Sequence, residues 1–239
     1  MLWTEPAAHP DLPPSQVHVW RARLASLRPR AGELWAFLNA VERARAERFA
    51  FDSDRQDYIV ARGTLRLLLS RYLETEPANV AILTAASGKP FAAESCNEKR
   101  ITFNLSHSHG LCLVAIGQGL EMGVDVEKIR EDVSFADLAE RYFAPAEIST
   151  LGALEPNLRA LGFWLVWTRK EAYLKARGSG LSASLDTFAV TADPAALPRL
   201  VSDDSDRWVL VHLEPGEDFV GALVAEKPLT SVTYWTFNG

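Results

Sequence analysis

Residues 163–177 read Phe163-Trp164-Leu165-Val166-Trp167-Thr168-Arg169-Lys170-Glu171-Ala172-Tyr173-Leu174-Lys175-Ala176-Arg177, and Gly178-Ser179-Gly180 follows. The stretch has no internal proline or glycine, and its apolar residues recur at helical spacing, so it is expected as one long helix ended by the turn formers. Spacing of i, i+4, i+8 puts Trp167, Glu171 and Lys175 along one face. Before it, Phe135–Phe143 and Pro145–Leu151 look like short helices. After it, Phe188–Thr191, Trp208–Leu213 and Phe219–Ala225 read as strands.

A comparable order stands roughly a hundred residues earlier. Ala40–Arg48 is an amphipathic helix candidate. Tyr58–Leu73 is a longer one, with Leu65, Leu68, Leu69 and Leu73 at helical spacing. Val80–Thr84, Ile101–Leu105 and Leu111–Ile116 read as strands, the last two as a hairpin around a polar loop, Ser106–Gly110. Gly88-Lys89-Pro90 reads as a turn, and Val17–Leu24 alternates like a strand. The expected fold is therefore α+β, a pseudo-twofold arrangement of two similar subdomains. Each is a long helix packed on a small, three-stranded or larger, mainly antiparallel sheet. The division falls at 1–120 and 121–239, and the tail Ser231–Phe237 could form one more strand packing back on the first half.

Composition fits that reading. Of 239 residues, 48% are apolar, enough for a proper core. No apolar run approaches the length of a membrane span. The segment from Met1 to Pro14 has acids and prolines where a secretory leader has basic and then apolar residues. With two cysteines, Cys96 and Cys112, reduced thiols and a cytoplasmic location are expected. The net charge of −6 argues against a general nucleic-acid binder. It is uneven: residues 1–120 carry 14 basic and 12 acidic side chains, and residues 121–239 carry 11 and 19. An anionic ligand against the first half and a cation in the second would suit that asymmetry, although solvated helix faces produce it too.

Chemistry concentrates in three places. Gly123-Val124-Asp125-Val126-Glu127 has period 2, so Asp125 and Glu127 share one strand face. Two adjacent carboxylates repel unless a cation neutralises them, and hard oxygen ligands suit magnesium. Alone, the pattern also fits an acidic outer strand face. In the helix, Glu171 and Lys175 share the stripe of Trp167, which a surface ion pair does not explain. In Phe103-Asn104-Leu105-Ser106-His107-Ser108, hydroxyls and an imidazole could bind phosphate oxygens. No zinc spacing, phosphate loop, dinucleotide fingerprint or nucleophile elbow is present in the sequence.

Together, and in this order, these motifs resemble the Sfp-type 4′-phosphopantetheinyl transferases. Gly-Val-Asp-Val-Glu at 123–127, Trp-x-x-Lys-Glu-Ala-x-x-Lys at 167–175, the Asn-x-Ser-His segment at 104–107 and the turn 88–90 carry the resemblance. It implies transfer of phosphopantetheine from coenzyme A to a serine of an apo acyl or peptidyl carrier protein, releasing adenosine 3′,5′-bisphosphate. It implies Mg2+ on Asp125, Glu127 and Glu171, coenzyme A phosphate and nucleotide contacts from Arg45, Lys89, Ser106 and His107, and Lys175 at the diphosphate. Glu42 departs from the pattern where some members carry a lysine, leaving Arg48 or Arg62 as substitutes. The proton acceptor is Glu127, Lys175 or a metal-bound water. The family's larger bacterial members imply a monomer with its site between the halves. A carrier would dock on a local basic or apolar patch, such as the face near Phe143 or the segment after Gly180. Two other readings stand beside this one: another magnesium-dependent coenzyme A or nucleotide phosphotransferase or hydrolase, and a non-catalytic coenzyme A or carrier-binding module.

Overall fold

Two helices of 22 residues each set the frame. Strand β1 (Gln16–Arg23) leads through the short helices α1 (Leu24–Leu27), α2 (Ala31–Phe37) and α3 (Ala40–Ala46) to the long α4 (Asp52–Leu73). A ribbon of β2 (Ile82–Thr84) and β3 (Pro90–Ala92) follows, then the hairpin β4 (Ile101–Ser108) and β5 (Leu111–Gln118), then β6 (Met122–Lys128). The order then repeats. After α5 (Phe135–Tyr142) and α6 (Pro145–Ala153) come the long α7 (Pro156–Arg177), a ribbon of β7 (Ala189–Val190) and β8 (Leu200–Val201), the hairpin β9 (Trp208–Gly216) and β10 (Phe219–Glu226), and last β11 (Ser231–Thr236). The computed structural model describes residues 1–7, 10–178 and 184–239.

The strands form two main sheets, ordered β11-β1-β5-β4 and β6-β10-β9. Among the described residues, all pairings between these strands are antiparallel except β1 with β11. The third strand of each repeat crosses over: β6 pairs with β10, and β11 pairs with β1. The architecture is α+β and mainly antiparallel, as the order of elements implied.

Period 2 sorts the strand side chains into layers. On β5, Cys112, Val114 and Ile116 pack toward α4, with Trp20, Leu65, Leu68, Leu69 and Phe103. Its alternate residues Leu111, Leu113 and Ala115 join Val17, Val19, Val124, Val126, Leu213 and Leu223 between the two sheets. A third cluster, including Phe163, Val166, Tyr173, Ala222 and Val224, lies between α7 and the second sheet. The layers thus run α4, first sheet, second sheet, α7. With both faces covered, β5 is a continuous apolar run rather than an alternating one.

Several local expectations need correcting. Ser106, His107 and Ser108 are not in a loop; β4 runs through them to Ser108. The turn is the two residues His109 and Gly110, with φ +47° and +80°, a left-handed pair suited to a tight hairpin. The long helices begin earlier than expected, at Asp52 and Pro156. Proline suits the first turn of α7, where its missing N–H has no partner to lose. Helices α1 and α2 were not foreseen, and Pro90 opens a short strand rather than closing a turn. Gly178 ends α7 in the left-handed conformation, φ +65°. Ser179 and Gly180 lie outside the described residues. Cys96 and Cys112 are free thiols, and burial pushes the Cys112 pKa up to about 12. Among the described residues, no helix is long and apolar enough to cross a membrane.

Candidate active site

Strand β6 lies between α7 and the first sheet, and its two faces differ. Val124 and Val126 are wholly buried between the sheets, so Gly123, Asp125 and Glu127 face α7. Gly123 is what lets the helix come close. A Cβ there would stand 2.2 Å from Ala172 O and 2.4 Å from Ala176 N, both backbone atoms of α7. The near approach sets Glu171 and Lys175, on successive turns, against Asp125.

Lys175 Nζ donates to Asp125 Oδ1 at 2.7 Å, to Ser106 Oγ at 3.0 Å and to Val124 O at 3.2 Å. All three ammonium protons are therefore engaged. Ser106 Oγ donates to the same Asp125 oxygen at 2.7 Å. One rung along, Ser108 Oγ donates to Glu127 Oε2 at 2.5 Å. Asn104 Oδ1 accepts the Val124 N–H at 2.9 Å. Strands β4 and β6 belong to different sheets, so Asn104, Ser106 and Ser108 link them with side chains where no backbone ladder exists.

Asp125 is 4% exposed, and its Oδ2 is buried with no hydrogen-bond partner among the described residues. Burial raises the pKa of Glu127, opposed by the Ser108 hydrogen bond and reinforced by Asp125. Burial also raises that of Glu171, again with help from Asp125 and against Lys175. The site therefore holds more negative charge than Lys175 neutralises. An orphaned buried carboxylate oxygen with two further carboxylates beside it is a donor set that fits a hard divalent cation. As they stand the three acids do not form a closed cage; among the described residues, no group of three His, Cys, Asp or Glu side chains is drawn together to hold a metal. The fit is one of donor chemistry around Asp125.

Beside the acids opens a cavity of about 410 Å³ whose wall includes Glu171, Lys175, Asn104, Lys89, Arg62 and Gly178. Lys89 donates to Glu121 Oε2 at 2.7 Å and to Ala176 O at 3.1 Å, near the end of α7. Arg62 is held by Glu42 Oε1 at 2.7 Å. Glu42, also the Oε2 partner of the buried Arg66 at 2.6 Å, completes a capping box with Asn39. It is a framework residue, and Arg62 is the cation that reaches the cavity in its place. Arg48 instead lines a separate open groove with Arg45, Val41 and Phe49. His107 points away from Ser106, since adjacent strand residues face opposite sides. Its ring reaches solvent, yet the walls around it and then Lys175 lower its pKa, with Arg45 adding and Asp57 opposing. Arg45 stacks 5.4 Å from the Tyr58 ring.

The structure thus gathers Ser106, Asp125, Glu127, Glu171 and Lys175 at one centre. Lys89 lines the same cavity as Glu171 and Lys175, whereas His107 faces the other side of β4 and Arg45 lies in the separate groove with Arg48. In the sequence Asn104 is only part of the Asn-x-Ser-His segment, Ser108 only a hydroxyl of the 103–108 stretch, and Arg62 only a substitute cation; no motif states their contacts with β6 and the cavity. The available signal was that residues 104, 106 and 108 share the two-residue period of 125 and 127. Phe143 itself is a core residue, 2% exposed and packed on Phe163 at 5.1 Å between centroids. Residues 180–183 of the other suggested docking segment lie outside the described residues.

Comparison with known proteins identifies the family. A family model described as the 4′-phosphopantetheinyl transferase superfamily matches residues 121–224. A second, described as 4′-phosphopantetheinyl transferase, N-terminal, matches residues 27–118. The chain is 35% identical over 208 residues to the 4′-phosphopantetheinyl transferase HetI of Nostoc sp., covering 87% of this chain and 86% of that one. It is 28% identical over 155 residues to the 4′-phosphopantetheinyl transferase Sfp of Bacillus subtilis, covering 65% and 66%. Among solved structures it is similar to a holo-(acyl-carrier-protein) synthase from Bacillus anthracis in complex with CoA (3′,5′-ADP). That likeness has 23% identity and a TM-score of 0.35, covering 44% of this chain and 94% of the other, too slight to transfer geometry. On the sequence relationship to HetI, the chain belongs to the 4′-phosphopantetheinyl transferase family and is an enzyme of that class.

Proposed function

We propose that this protein moves the phosphopantetheine arm of coenzyme A onto a serine of an apo acyl or peptidyl carrier protein, with Mg2+ as cofactor. The observation that carries the reading is the buried, unpartnered Asp125 Oδ2 flanked by Glu127 and Glu171 beside a cavity rimmed by Lys89, Arg62 and Lys175. Asp125, Glu127 and Glu171 would hold the cation, which supplies charge neutralisation at the phosphoryl oxygens when bound. The halves divide the work at residues 120 and 121: the first offers Arg45, Arg62, Lys89, Ser106 and His107 to the anionic coenzyme, and the second offers the acids and Lys175. In this reading every named site residue comes from one chain, which supports a monomer, and a cytoplasmic location is part of the proposal.

The carrier serine oxygen bonds to the phosphorus that bears the pantetheine arm, and the bond from that phosphorus to the bridging oxygen breaks. Adenosine 3′,5′-bisphosphate leaves with the bonding electrons. The serine proton needs an acceptor. Lys175 already donates all three of its protons and has no lone pair to offer. Glu127 is a carboxylate with lone pairs left beyond the Ser108 hydrogen bond, and in this reading it is the acceptor. Lys175 then acts as a fixed positive charge that orients Asp125 and faces the developing charge on the leaving diphosphate oxygen.

The test is to incubate the protein with coenzyme A, Mg2+ and an apo carrier, then weigh the carrier. A gain of one phosphopantetheine mass is expected. An unchanged carrier with degraded coenzyme A would instead mark a hydrolase, and no change in either a binding module. Asp125→Ala should abolish transfer even at high Mg2+, and Lys175→Ala should lower kcat by about 10²–10³ while remaining folded. An Asp125→Ala enzyme with full activity removes the cation assignment.

A further inference from the structure

Strand β4 offers Ser106 and Ser108 to β6 at the same two-residue period at which β6 offers Asp125 and Glu127. Each acid receives one hydroxyl on one oxygen: Asp125 on Oδ1 and Glu127 on Oε2. The Asn104 side chain on the Val124 N–H sets this register. Asp125 has a second holder in Lys175, but among the described residues the Glu127 side chain has no hydrogen bond other than that from Ser108. The Ser108 hydroxyl is itself held in place. The Lys128 N–H donates to it at 3.4 Å, and His109 Nδ1 stands 2.9 Å away. With its single proton given to Glu127, its lone pairs face those two groups, which makes Nδ1 of His109 the protonated nitrogen.

We propose that Ser108 is a positioning residue for the transfer reaction: by tying Glu127 Oε2, it leaves Oε1 as the oxygen presented to the divalent cation beside the free Oδ2 of Asp125. The proposal rests on the cation reading above. Hydrogen bonds to ligating carboxylates fix their orientation, and losing one typically weakens metal binding by about 10–100-fold. A long glutamate side chain on the open edge of a sheet has several rotamers to choose from. Asp125, shorter and doubly held, does not need this help, so the two serines are unequal in effect.

Mn2+ binding followed by electron paramagnetic resonance, in the presence of coenzyme A and without carrier, tests it on the full chain. Ser108→Ala should raise the Mn2+ dissociation constant by about 10-fold or more. Ser108→Thr, which keeps the hydroxyl, should return it to near the wild-type value. A merely structural role would lower the unfolding midpoint without separating alanine from threonine in this way. Ser108→Cys, of similar size with a weak donor, supplies the comparison if alanine destabilises the edge strand. Wild-type Mn2+ affinity in Ser108→Ala, or equal weakness in Ser108→Thr, overturns the proposal. In either case, binding that Asp125→Ala abolishes leaves the cation reading standing. Failure of the wild-type protein to bind Mn2+ at all removes both.

Discussion

Lys170 and Lys175 sit five positions apart on one helix and do unlike work. Lys175 is partly exposed and faces Asp125. Lys170 is wholly buried and donates to Glu147 Oε2 at 2.8 Å and to the carbonyls of Leu185 and Phe188, each at 2.6 Å. Glu147 in turn accepts the N–H groups of Ala144 and Val190 at 2.8 and 2.7 Å. Burial raises the Glu147 pKa, and the Lys170 ammonium opposes it, so each ion depends on the other. One pair thus joins α7, the start of α6 and the strand after residue 188. Lys170→Ala leaves a buried carboxylate alone, and the expected loss is about 3–5 kcal/mol of stability, read as a lower denaturant midpoint. Lys170→Met with Glu147→Gln should lose much less, since no unpaired charge remains. A wild-type midpoint for Lys170→Ala would show that the pair carries no stability. The motif in the sequence lists both lysines without distinguishing them, because burial depends on what packs over the helix.

At the scale of elements, the contact of β6 with α7 is the decisive one, and Gly123 permits it. A methyl at 123 meets helix backbone rather than a side chain that could swing aside, so the strand and helix must separate. Overpacking of this kind costs about 1–3 kcal/mol. The same movement draws Asp125 away from Glu171 and Lys175, and small misplacements at a reacting centre cost about 10²-fold in rate. Gly123→Ala should therefore remain folded at assay temperature yet lose far more kcat than its change in unfolding midpoint accounts for. Equal activity in the variant would mean the helix distance is not critical. Much of this was legible: the alternation at 123–127 placed both acids on one face, and the spacing at 167–175 placed Glu171 with Lys175. What was not legible was that the two faces meet, since no local pattern states which helix covers a strand. The end of β4 was misread for a related reason. Ser106, His107 and Ser108 look like turn residues because polar groups usually mean solvent, whereas two of them face the buried acids of β6.

At the scale of the molecule, Asp125 is buried and Glu127 and Glu171 are half-buried because both halves close on them. Asp125, Glu127 and Glu171 come from the second half, and Asn104, Ser106 and Ser108 on β4 cover them from the first. The crossing of β6 and β11 between sheets makes that closure part of the fold. Its electrostatic cost has a sign that can be tested. The folded-state pKa values of Glu127 and Glu171 are raised, chiefly by burial, so the native protein holds these protons more tightly than the unfolded chain does. Stability from these groups is then full below the unfolded glutamate value of about 4.3 and is lost as pH rises through the raised folded values. In cation-free buffer the denaturant midpoint should carry a component that declines from pH 4 upward. Glu171→Gln, which cannot ionise, should flatten that decline and raise the midpoint at pH 7. On the proposed cation reading, Mg2+ with coenzyme A would bind the native state and not the unfolded chain, so it should raise the wild-type midpoint at pH 7 and do much less for Glu171→Gln. A variant whose midpoint follows the same pH slope as the wild type, and gains equally from Mg2+, would show that Glu171 neither carries strained charge nor meets the cation.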